Sequence, residues 1–516
     1  MDEQCDILVL GAGLAGCSAA LSAADEGKKV IIVTKTPQLM SGNTPYAQGG
    51  IIYKGLHDSP EKLKTDILIA GDGHCWEPAV DQLVHLGPDL VEKILLERCA
   101  VDFDYNGDEL DRTAEGAHSE SRIIHSKDKT GKSIEFSITQ KVQTHPNIKI
   151  LTDHTVVDLL TLSHHSKNSV DIYEKPACFG AYLLNNKTEC VFPNYASRTI
   201  LATGGLGRIY LHSTNPKEST GDGIALAWRA GARCFNLQYI QFHPTTLYSS
   251  KERFLISESV RGEGGVLVDK NGRQFMFDFH PQGSLAPRDI VARAIHQTML
   301  DTEHPCVYLD IRSKDPQWLQ ARFPTINQHC LDVGVDMTKD LIPVVPAAHY
   351  SCGGVGVSLK GQTSVQRLYA VGEVSCTGVH GANRLSSTSL LEALVWGHLA
   401  GKDAAKTCKQ KDYYPEIDAW EECSQRVDQA LISQDWNNIK STMWNYVGLI
   451  RTPLRMHRAQ TIFHHLQSEV ESFYRDAKMT KEIVELRHGI QTAIAVSNAA
   501  IQAKKNLGAH YIKEEE

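Results

Sequence analysis

Residues 5–35 of this chain read CDILVLGAGLAGCSAALSAADEGKKVIIVTK. Two apolar runs flank a glycine-rich turn and an alanine-rich segment, an order that predicts strand, tight turn, helix and parallel strand. Gly11 permits the turn, Gly13 allows the backbone to approach a pyrophosphate, and Gly16 lets the helix pack on the sheet. The helix N-terminus would direct N–H groups at the phosphates. The stretch therefore predicts a dinucleotide site, and a βα turn without a ligand is the alternative.

The second strand of this unit ends in Thr34-Lys35. An acidic residue often stands there and holds a ribose hydroxyl. A lysine cannot accept a hydrogen bond, so we expect Lys35 to donate one to a phosphate or to the ribose.

Composition limits the classes of partner. The chain has 516 residues, a formal net charge of −8, 42% hydrophobic residues and 22% charged residues. The two percentages are those of an ordinary soluble protein. At about 150 residues per domain, the length suggests about three domains. No block of Lys and Arg appears, which argues against nucleic acid as a partner. No apolar run approaches the ~20 residues that span a bilayer, so no membrane partner is expected. A small anionic substrate would need a local cationic pocket.

The cysteines indicate the compartment. Thirteen cysteines are scattered without a C-x-x-C pair, which makes zinc ribbons and iron–sulfur clusters unexpected, and we predict no metal site. The N-terminus is acidic and strand-like instead of resembling a secretory leader. Free thiols and no leader predict a cytoplasmic protein.

Patterns along the chain predict an α/β protein with an insertion. The loop from Met40 to Gly50 is rich in small residues that can offer N–H groups to a flat ring, and a plain surface loop is the alternative. We predict a Rossmann-type nucleotide-binding domain over 1–236 and 346–408, interrupted by an α+β capping domain over 237–345. A C-terminal helical bundle is predicted over 412–516.

Four cationic or imidazole side chains stand beside Gly/Pro loops: His243, Arg288, His349 and Arg384. Each alone is ordinarily a satisfied structural residue. Together they predict a clamp for a dicarboxylate, because each guanidinium can fork onto one carboxylate and imidazoles add donors.

Several motifs together resemble the succinate dehydrogenase/fumarate reductase flavoprotein family. They cover the chain nearly end to end and are Gly11-x-Gly-x-x-Gly16, Ala47–Gly50, Ala202–Gly205, Gln241–Pro244, Ala286–Asp289, Pro346–Tyr350, Gly372-Glu373 and His380–Arg384. The resemblance implies FAD as the cofactor. Respiratory members attach FAD through a histidine in a Ser-His-Thr segment, whereas this chain has Gly42-Asn43-Thr44, so we expect non-covalent FAD.

The segment Glu115–Ser119, with Arg122 and His125 after it, is similar to that of the branch that oxidises L-aspartate to iminoaspartate. The electrons would go to O₂, giving H₂O₂, or to fumarate, giving succinate. This reaction is the first step of de novo NAD biosynthesis, with a possible hand-off to quinolinate synthase. The alternative is a soluble fumarate reductase or succinate dehydrogenase flavoprotein with loosely held FAD.

The resemblance also implies roles for individual residues. Glu115 would face the substrate ammonium and Arg288 would occupy the proton-transfer position. The two carboxylates would be bound by His243, His349, Arg384, Ser257 and Gln241. The FAD would contact Gly11, Ala12, Gly13, Leu14, Ala15, Gly16, Lys35, Asn43, Thr44, Pro45, Tyr46, Ala47, Gln48, Gly49, Gly50, Ala202, Thr203, Gly204, Asp222, Glu373, Ser389 and Leu390.

Overall fold

The computed structural model describes residues 3–249, 253–408 and 414–513. The strands are β1 Glu3–Leu10, β2 Val30–Val33, β3 Ile51–Ile52, β4 Tyr105–Asn106, β5 Glu109–Leu110, β6 Arg112–Thr113, β7 Ile123–Ile124, β8 Ile148–Leu151, β9 His154–Thr161, β10 Cys178–Asn185, β11 Cys190–Leu201, β12 Cys234–Phe235, β13 Ile240–Leu247, β14 Val266–Val268, β15 Val307–Asp310, β16 Ile342–Ser351, β17 Gly354–Gly356, β18 Leu368–Ala370 and β19 Ser375–Cys376. The helices are α1 Leu14–Asp25, α2 Pro60–Ala70, α3 Glu77–Leu90, α4 Thr130–Thr144, α5 Leu162–His165, α6 Asp222–Arg229, α7 Glu258–Gly262, α8 Arg288–Asp301, α9 Pro316–Arg322, α10 Pro324–Leu331, α11 Thr388–Thr407, α12 Gln429–Tyr446, α13 Pro453–Asp476 and α14 Lys481–Gln502.

A seven-stranded sheet forms the base of the fold. Its order is β8-β2-β1-β11-β10-β9, and β18 pairs with β11. β1 is central and parallel to both β2 and β11, so that Leu10 lies opposite Val33 and Leu201. The apolar run of β1 is fully buried because both faces of this sheet are covered. The strand, turn, helix and parallel strand predicted from residues 5–35 are present, and the α/β class is confirmed.

Small residues bring α1 and α11 together under this sheet. A Cβ atom at Gly397 would overlap with the carbonyl oxygen of Ala15, and one at Gly401 would overlap with that of Ala19. Such close backbone approach requires glycine at both positions. Since α1 begins at the glycine-rich turn and α11 follows the loop that carries Arg384, this packing fixes two parts of the predicted site relative to each other.

A second, antiparallel sheet has the order β13-β16-β15-β14 and is built mostly from the segment predicted as the capping domain. Its apolar core is separate from those of the large sheet. β16 runs as one continuous strand through the predicted boundary between residues 345 and 346. The domain limits remain predictions, and residues 1–2, 412–413 and 514–516 at their ends lie outside the described residues.

Helices α12, α13 and α14 form the C-terminal helical region that the sequence predicts. α14 packs back on the large domain, where Thr492 Oγ1 donates to the carbonyl oxygen of Gly221 at 2.9 Å. Within the described ranges, no helix combines the length and apolar character needed to cross a membrane.

The contact of α1 with α11 makes a testable statement about stability. We expect Gly401→Val to lower the free energy of unfolding by about 1–3 kcal/mol, because added methyl groups overpack a backbone contact. Urea titration measures this change. Lys402→Val, at the neighbouring exposed position of the same helix, is the matched control. Equal stability of the two variants would contradict the close packing.

Candidate functional site

One cavity of about 690 Å³ lies between the glycine-rich turn and the second sheet. Of the predicted cofactor residues, those on its wall are Gly11–Ala15, Lys35, Asn43, Thr44, Tyr46–Gly50, Ala202–Gly204, Asp222, Glu373, Ser389 and Leu390. Of the predicted substrate residues, those on its wall are Glu115, His243, Ser257, Arg288, His349 and Arg384. Gly16, Pro45 and Gln241 are not among the residues that line it. The chain therefore brings segments from across its length to one space.

The glycine-rich turn has the geometry that a phosphate requires. Gly11 has φ of +116°, and a Cβ atom there would overlap with the carbonyl oxygen of Ala202. A Cβ atom at Gly16 would overlap with the carbonyl oxygen of Gly11, so Gly16 serves helix packing and makes no contact across the cavity. The N-terminus of α1 faces the cavity, where Leu14 N donates to Thr44 Oγ1 at 3.2 Å. This end of the cavity suits a pyrophosphate.

Buried polar atoms without partners test whether FAD fits. Gln48 and Thr203 belong to the cavity wall, and Gln48 Oε1 and Thr203 Oγ1 are buried with no hydrogen-bond partner among the described residues. Such orphaned atoms are uncommon in proteins, and a polar group of a bound ligand is a partner that a small side-chain rotation would give them. Asn43 stands where a covalent attachment would need histidine, and its Nδ2 donates to Glu373 Oε2 at 2.6 Å. The wall therefore fits FAD held without a covalent bond.

Lys35 has more partners than the sequence indicated. Its Nζ lies 2.8 Å from Asp222 Oδ2 and 2.8 Å from Glu485 Oε1, and it donates to Thr220 Oγ1 at 2.9 Å. Burial favours the neutral amine, yet the two carboxylates raise the pKa of Lys35 above its ordinary value. Glu485 comes from α14, so no local pattern predicted it. Donation from Lys35 to a phosphate or ribose remains a prediction, in competition with these acids.

Arg288 and Arg384 lie on the same wall, joined by Gln241. Gln241 Oε1 accepts from Arg288 Nη1 at 3.1 Å, and Gln241 Nε2 donates to the carbonyl oxygen of Arg384 at 2.8 Å. Gln241 does not line the cavity and both ends of its amide are engaged by the chain, so it supports the two arginines in this structure, and its contact with a substrate carboxylate remains a prediction. Both arginines line the same cavity, and their charges are close enough for Arg288 to lower the pKa of Arg384. The dicarboxylate clamp remains a prediction.

The two arginines differ in how their charge is balanced. Arg288 Nε donates to Glu258, whereas Arg384 has no carboxylate within ion-pair distance among the described residues. Arg384 Nε is buried without a hydrogen-bond partner, and its Nη1 reaches Ser389 Oγ at 3.3 Å. Burial and the charge of Arg288 lower the pKa of Arg384. An unpaired buried cation is costly, so this wall favours an anionic ligand.

His243 and His349 add neutral donors to this wall. Their ring centroids lie 5.1 Å apart. Burial and the charge of Arg288 hold the pKa of each imidazole well below its ordinary value. His243 Nδ1 lies 3.2 Å from both the backbone nitrogen and the carbonyl oxygen of Thr245, so this ring nitrogen is held by the chain. The imidazoles can therefore donate to an anion without adding like charge beside the arginines.

Glu258 is a residue that the sequence analysis missed. It is buried and contacts Arg288 through one oxygen, while its other oxygen lies 3.6 Å from Arg261 Nη2. Burial would raise the pKa of Glu258, but the charges of Arg288 and Arg261 hold it below its ordinary value. The neighbouring Ser257 caps α7 by accepting from Ser259 N at 3.2 Å. Glu258 and Arg261 stand three positions apart, a spacing that places both side chains on one face of a helix. This spacing was the signal in the sequence that could have indicated a buried ion pair.

Glu115 faces the same cavity as the arginines. Its Oε1 accepts from Ser259 Oγ at 3.0 Å and its Oε2 accepts from Ser387 Oγ at 2.8 Å. Ser387 holds this position in a left-handed conformation, with φ of +57°. The site thus presents two cations and one fixed carboxylate to a single space.

Comparisons with known proteins agree with this geometry. The profile of an FAD binding domain family matches residues 6–390. L-aspartate oxidase 1 of Ralstonia nicotianae is 41% identical over 514 residues, covering 99% of this chain and 95% of that protein. The L-aspartate oxidase of Vibrio cholerae is 40% identical over 520 residues, covering 99% and 95%. A solved chain of E. coli quinol fumarate reductase superposes with a TM-score of 0.89 at 29% identity, covering 100% of this chain and 92% of that chain. FAD as the cofactor is confirmed.

Glu135 on α4 gives a prediction about pH. It is fully buried, and burial raises the pKa of its carboxyl group from 4.5 to about 8. The folded protein thus keeps a proton that the unfolded chain loses, so stability falls as pH rises from 4.5 to 8. In Glu135→Gln we expect this slope to be smaller by about 1.4 kcal/mol per pH unit.

Urea titrations across this range measure the slope. Gln140→Ala, at an exposed position of the same helix, should keep the wild-type slope. If Glu135→Gln leaves the slope unchanged, then the carboxyl group of Glu135 has the same pKa in the folded and the unfolded protein, and the prediction is wrong.

Proposed function

We propose that this chain, which belongs to the L-aspartate oxidase family of FAD-dependent flavoproteins, oxidises L-aspartate to iminoaspartate. The observation that carries this proposal is the presence of Glu115 in the same cavity as Arg288 and Arg384. Two cations match two carboxylates, and one fixed carboxylate matches an ammonium group. L-Aspartate has this set of charges, whereas succinate lacks the ammonium.

The cofactor would lie along the wall described above, with its pyrophosphate at the N-terminus of α1. Its isoalloxazine would face the Gly49-Gly50 segment and the first turn of α11. When bound, FAD supplies the acceptor for the hydride that leaves the substrate Cα. The chain supplies binding, orientation and proton handling.

Arg288 and Arg384 would each bind one carboxylate through paired N–H groups. His243, His349 and Ser257 would add uncharged donors to the same oxygens. With both ends held, the Cα–H bond of the substrate has one orientation toward the cofactor.

Glu115 would accept a hydrogen bond from the substrate ammonium. Its two serine donors leave lone pairs free, because an ionised carboxylate accepts about four hydrogen bonds. A guanidinium group is a poor base, so Arg288 serves more naturally as an acid when fumarate is reduced. Glu258 and Arg261 continue from it as a buried chain along which a proton could return to Arg288.

The electrons would leave to O₂, giving H₂O₂, or to fumarate, giving succinate, because the same clamp fits fumarate. The product would enter NAD biosynthesis, and a hand-off to quinolinate synthase is part of this proposal. The thirteen cysteines form no disulfide, which supports a reducing cytoplasm as the location. A soluble fumarate reductase is the second candidate, favoured by the fold similarity and opposed by Glu115.

Anaerobic reduction of the bound flavin tests the proposal. We expect L-aspartate to remove the yellow colour of the FAD-loaded enzyme, because its ammonium and carboxylates all find partners. D-Aspartate and succinate should leave the absorbance largely unchanged over the same time. Bleaching by succinate and not by L-aspartate would establish the second candidate instead.

Glu115→Gln separates the two activities. The amide keeps the size of the side chain but loses the charge that pairs with the ammonium. We expect kcat/KM for L-aspartate to fall by about 10- to 100-fold, from the loss of a charge-assisted hydrogen bond worth about 1.5–3 kcal/mol. Fumarate reduction by the same variant is the internal control and should be largely retained. An equal loss in both assays would remove Glu115 from ammonium recognition.

A further inference from the structure

We propose that Tyr350 is a positioning residue for Arg384, and that the buried carboxylate of Glu392 tunes how firmly Tyr350 holds it. This inference rests on the proposed function, because it concerns how the clamp binds a dicarboxylate. It assigns a task to a buried polar network that the reaction itself does not use.

The first observation is the way Arg384 is supported. Its guanidinium carbon lies 4.4 Å from the centroid of the Tyr350 ring. The one hydrogen bond of this guanidinium among the described residues is the 3.3 Å contact of Nη1 with Ser389 Oγ, and no described acid forms an ion pair with it. The face of an aromatic ring attracts a cation through its quadrupole, and the attraction is stronger when both are removed from water. Tyr350 therefore takes the place of an acid partner.

The second observation is the network at the hydroxyl end of the ring. Tyr350 Oη donates to Glu392 Oε2 at 2.9 Å, and His380 Nε2 lies 2.9 Å from the same oxygen. Thr377 Oγ1 donates to the other oxygen of Glu392. Burial would raise the pKa of Glu392, but His380 and these hydrogen bonds hold it below its ordinary value. A fully buried carboxylate thus stands at the hydroxyl end of the ring, where it is also paired with His380.

The network has a physical effect on the ring. A phenol that donates to a carboxylate gains electron density, and this makes its face more attractive to a cation. Burial and Glu392 raise the pKa of Tyr350 well above its ordinary value, so the phenol keeps its proton. The negative charge of Glu392 therefore reaches Arg384 through the ring and not through a salt bridge.

This arrangement leaves the N–H groups of Arg384 available. A carboxylate paired with Arg384 would have to be displaced by each incoming substrate, and its own charge would oppose the substrate. A ring face holds the guanidinium plane without occupying the fork of N–H groups. The substrate carboxylate then binds an oriented, uncompensated cation, which is a preorganised site.

Binding of malonate to the FAD-loaded enzyme, measured by calorimetry, tests this inference. Malonate is a dicarboxylate, and its half-amide malonamate keeps a single carboxylate. In Tyr350→Leu, which removes the ring, we expect malonate to bind about 30-fold more weakly. In Tyr350→Phe and in Glu392→Gln, which keep the ring but break its link to the carboxylate, we expect about 3-fold weaker binding.

The half-amide distinguishes positioning from general damage to the site. Since Arg384 grips one of two carboxylates, malonamate should lose much less affinity than malonate in each variant. The KM for L-aspartate should rise with little change in kcat, because the lost contact is made in ground state and transition state alike. FAD affinity should stay at the wild-type value.

Tyr369→Phe is the matched control. Tyr369 is also buried, and its hydroxyl donates to Asp403 Oδ2 at 3.0 Å on the same helix, α11. It should leave malonate affinity unchanged. An equal effect of Tyr369→Phe and Tyr350→Phe, or an equal loss of affinity for malonate and malonamate, would overturn the inference.

If Tyr350→Leu does not bind FAD, the variants Tyr350→Phe and Glu392→Gln test the inference by the same comparison of malonate with malonamate. Wild-type enzyme that binds malonate yet does not oxidise L-aspartate would refute the proposed function alone.

Discussion

The buried charge of Arg384 is the constraint on which the rest of the site depends. Arg288, a second cation on the same wall, has Glu258 as a partner, but Arg384 has no acid beside it among the described residues. Holding an unpaired cation away from water is costly. The surrounding structure must therefore fix Arg384 firmly and leave one side of it open to an anion, in a chain whose net charge is −8. The face of the Tyr350 ring holds the guanidinium of Arg384 in place, and the hydrogen-bond donors around that group put no acid on its open side.

The second sheet of the fold meets this constraint through the register of its strands. β13 and β16 are antiparallel, and Gln241 on β13 lies opposite Tyr350 on β16. Gln241 spaces the two arginines, while Tyr350 supports the guanidinium of Arg384. One pairing of neighbouring strands thus sets two supports of the clamp. Arg384 itself belongs to the loop before α11, and the packing of α11 on α1 relates this loop to the phosphate end of the cavity.

The sequence predicted those parts of the fold and site that depend on local pattern. The turn at Gly11, the helix after it and the paired strands follow from spacing and glycine geometry. The clamp residues could be proposed because Arg and His beside Gly/Pro loops have a recognisable chemistry, and the structure brings them to one cavity. Long-range partners were not predictable: Glu485 reaches Lys35 from α14, and burial of Glu135 depends on how α4 packs. No local pattern indicates which distant acid meets which base, since that is decided by tertiary packing.

The clamp alone does not choose between an amino diacid and a plain one, because its charges match both. In the proposed function Glu115 would pair with the ammonium of L-aspartate, a contact that neither succinate nor fumarate can make, and this contact would supply the discrimination. The same charge would also oppose fumarate, which an enzyme with two acceptors must admit. The hydroxyl groups of Ser259 and Ser387 resolve this conflict, because they donate to Glu115 whichever ligand is present. They offset its charge when no ammonium is bound and leave lone pairs free when one is, so one site can serve both diacids.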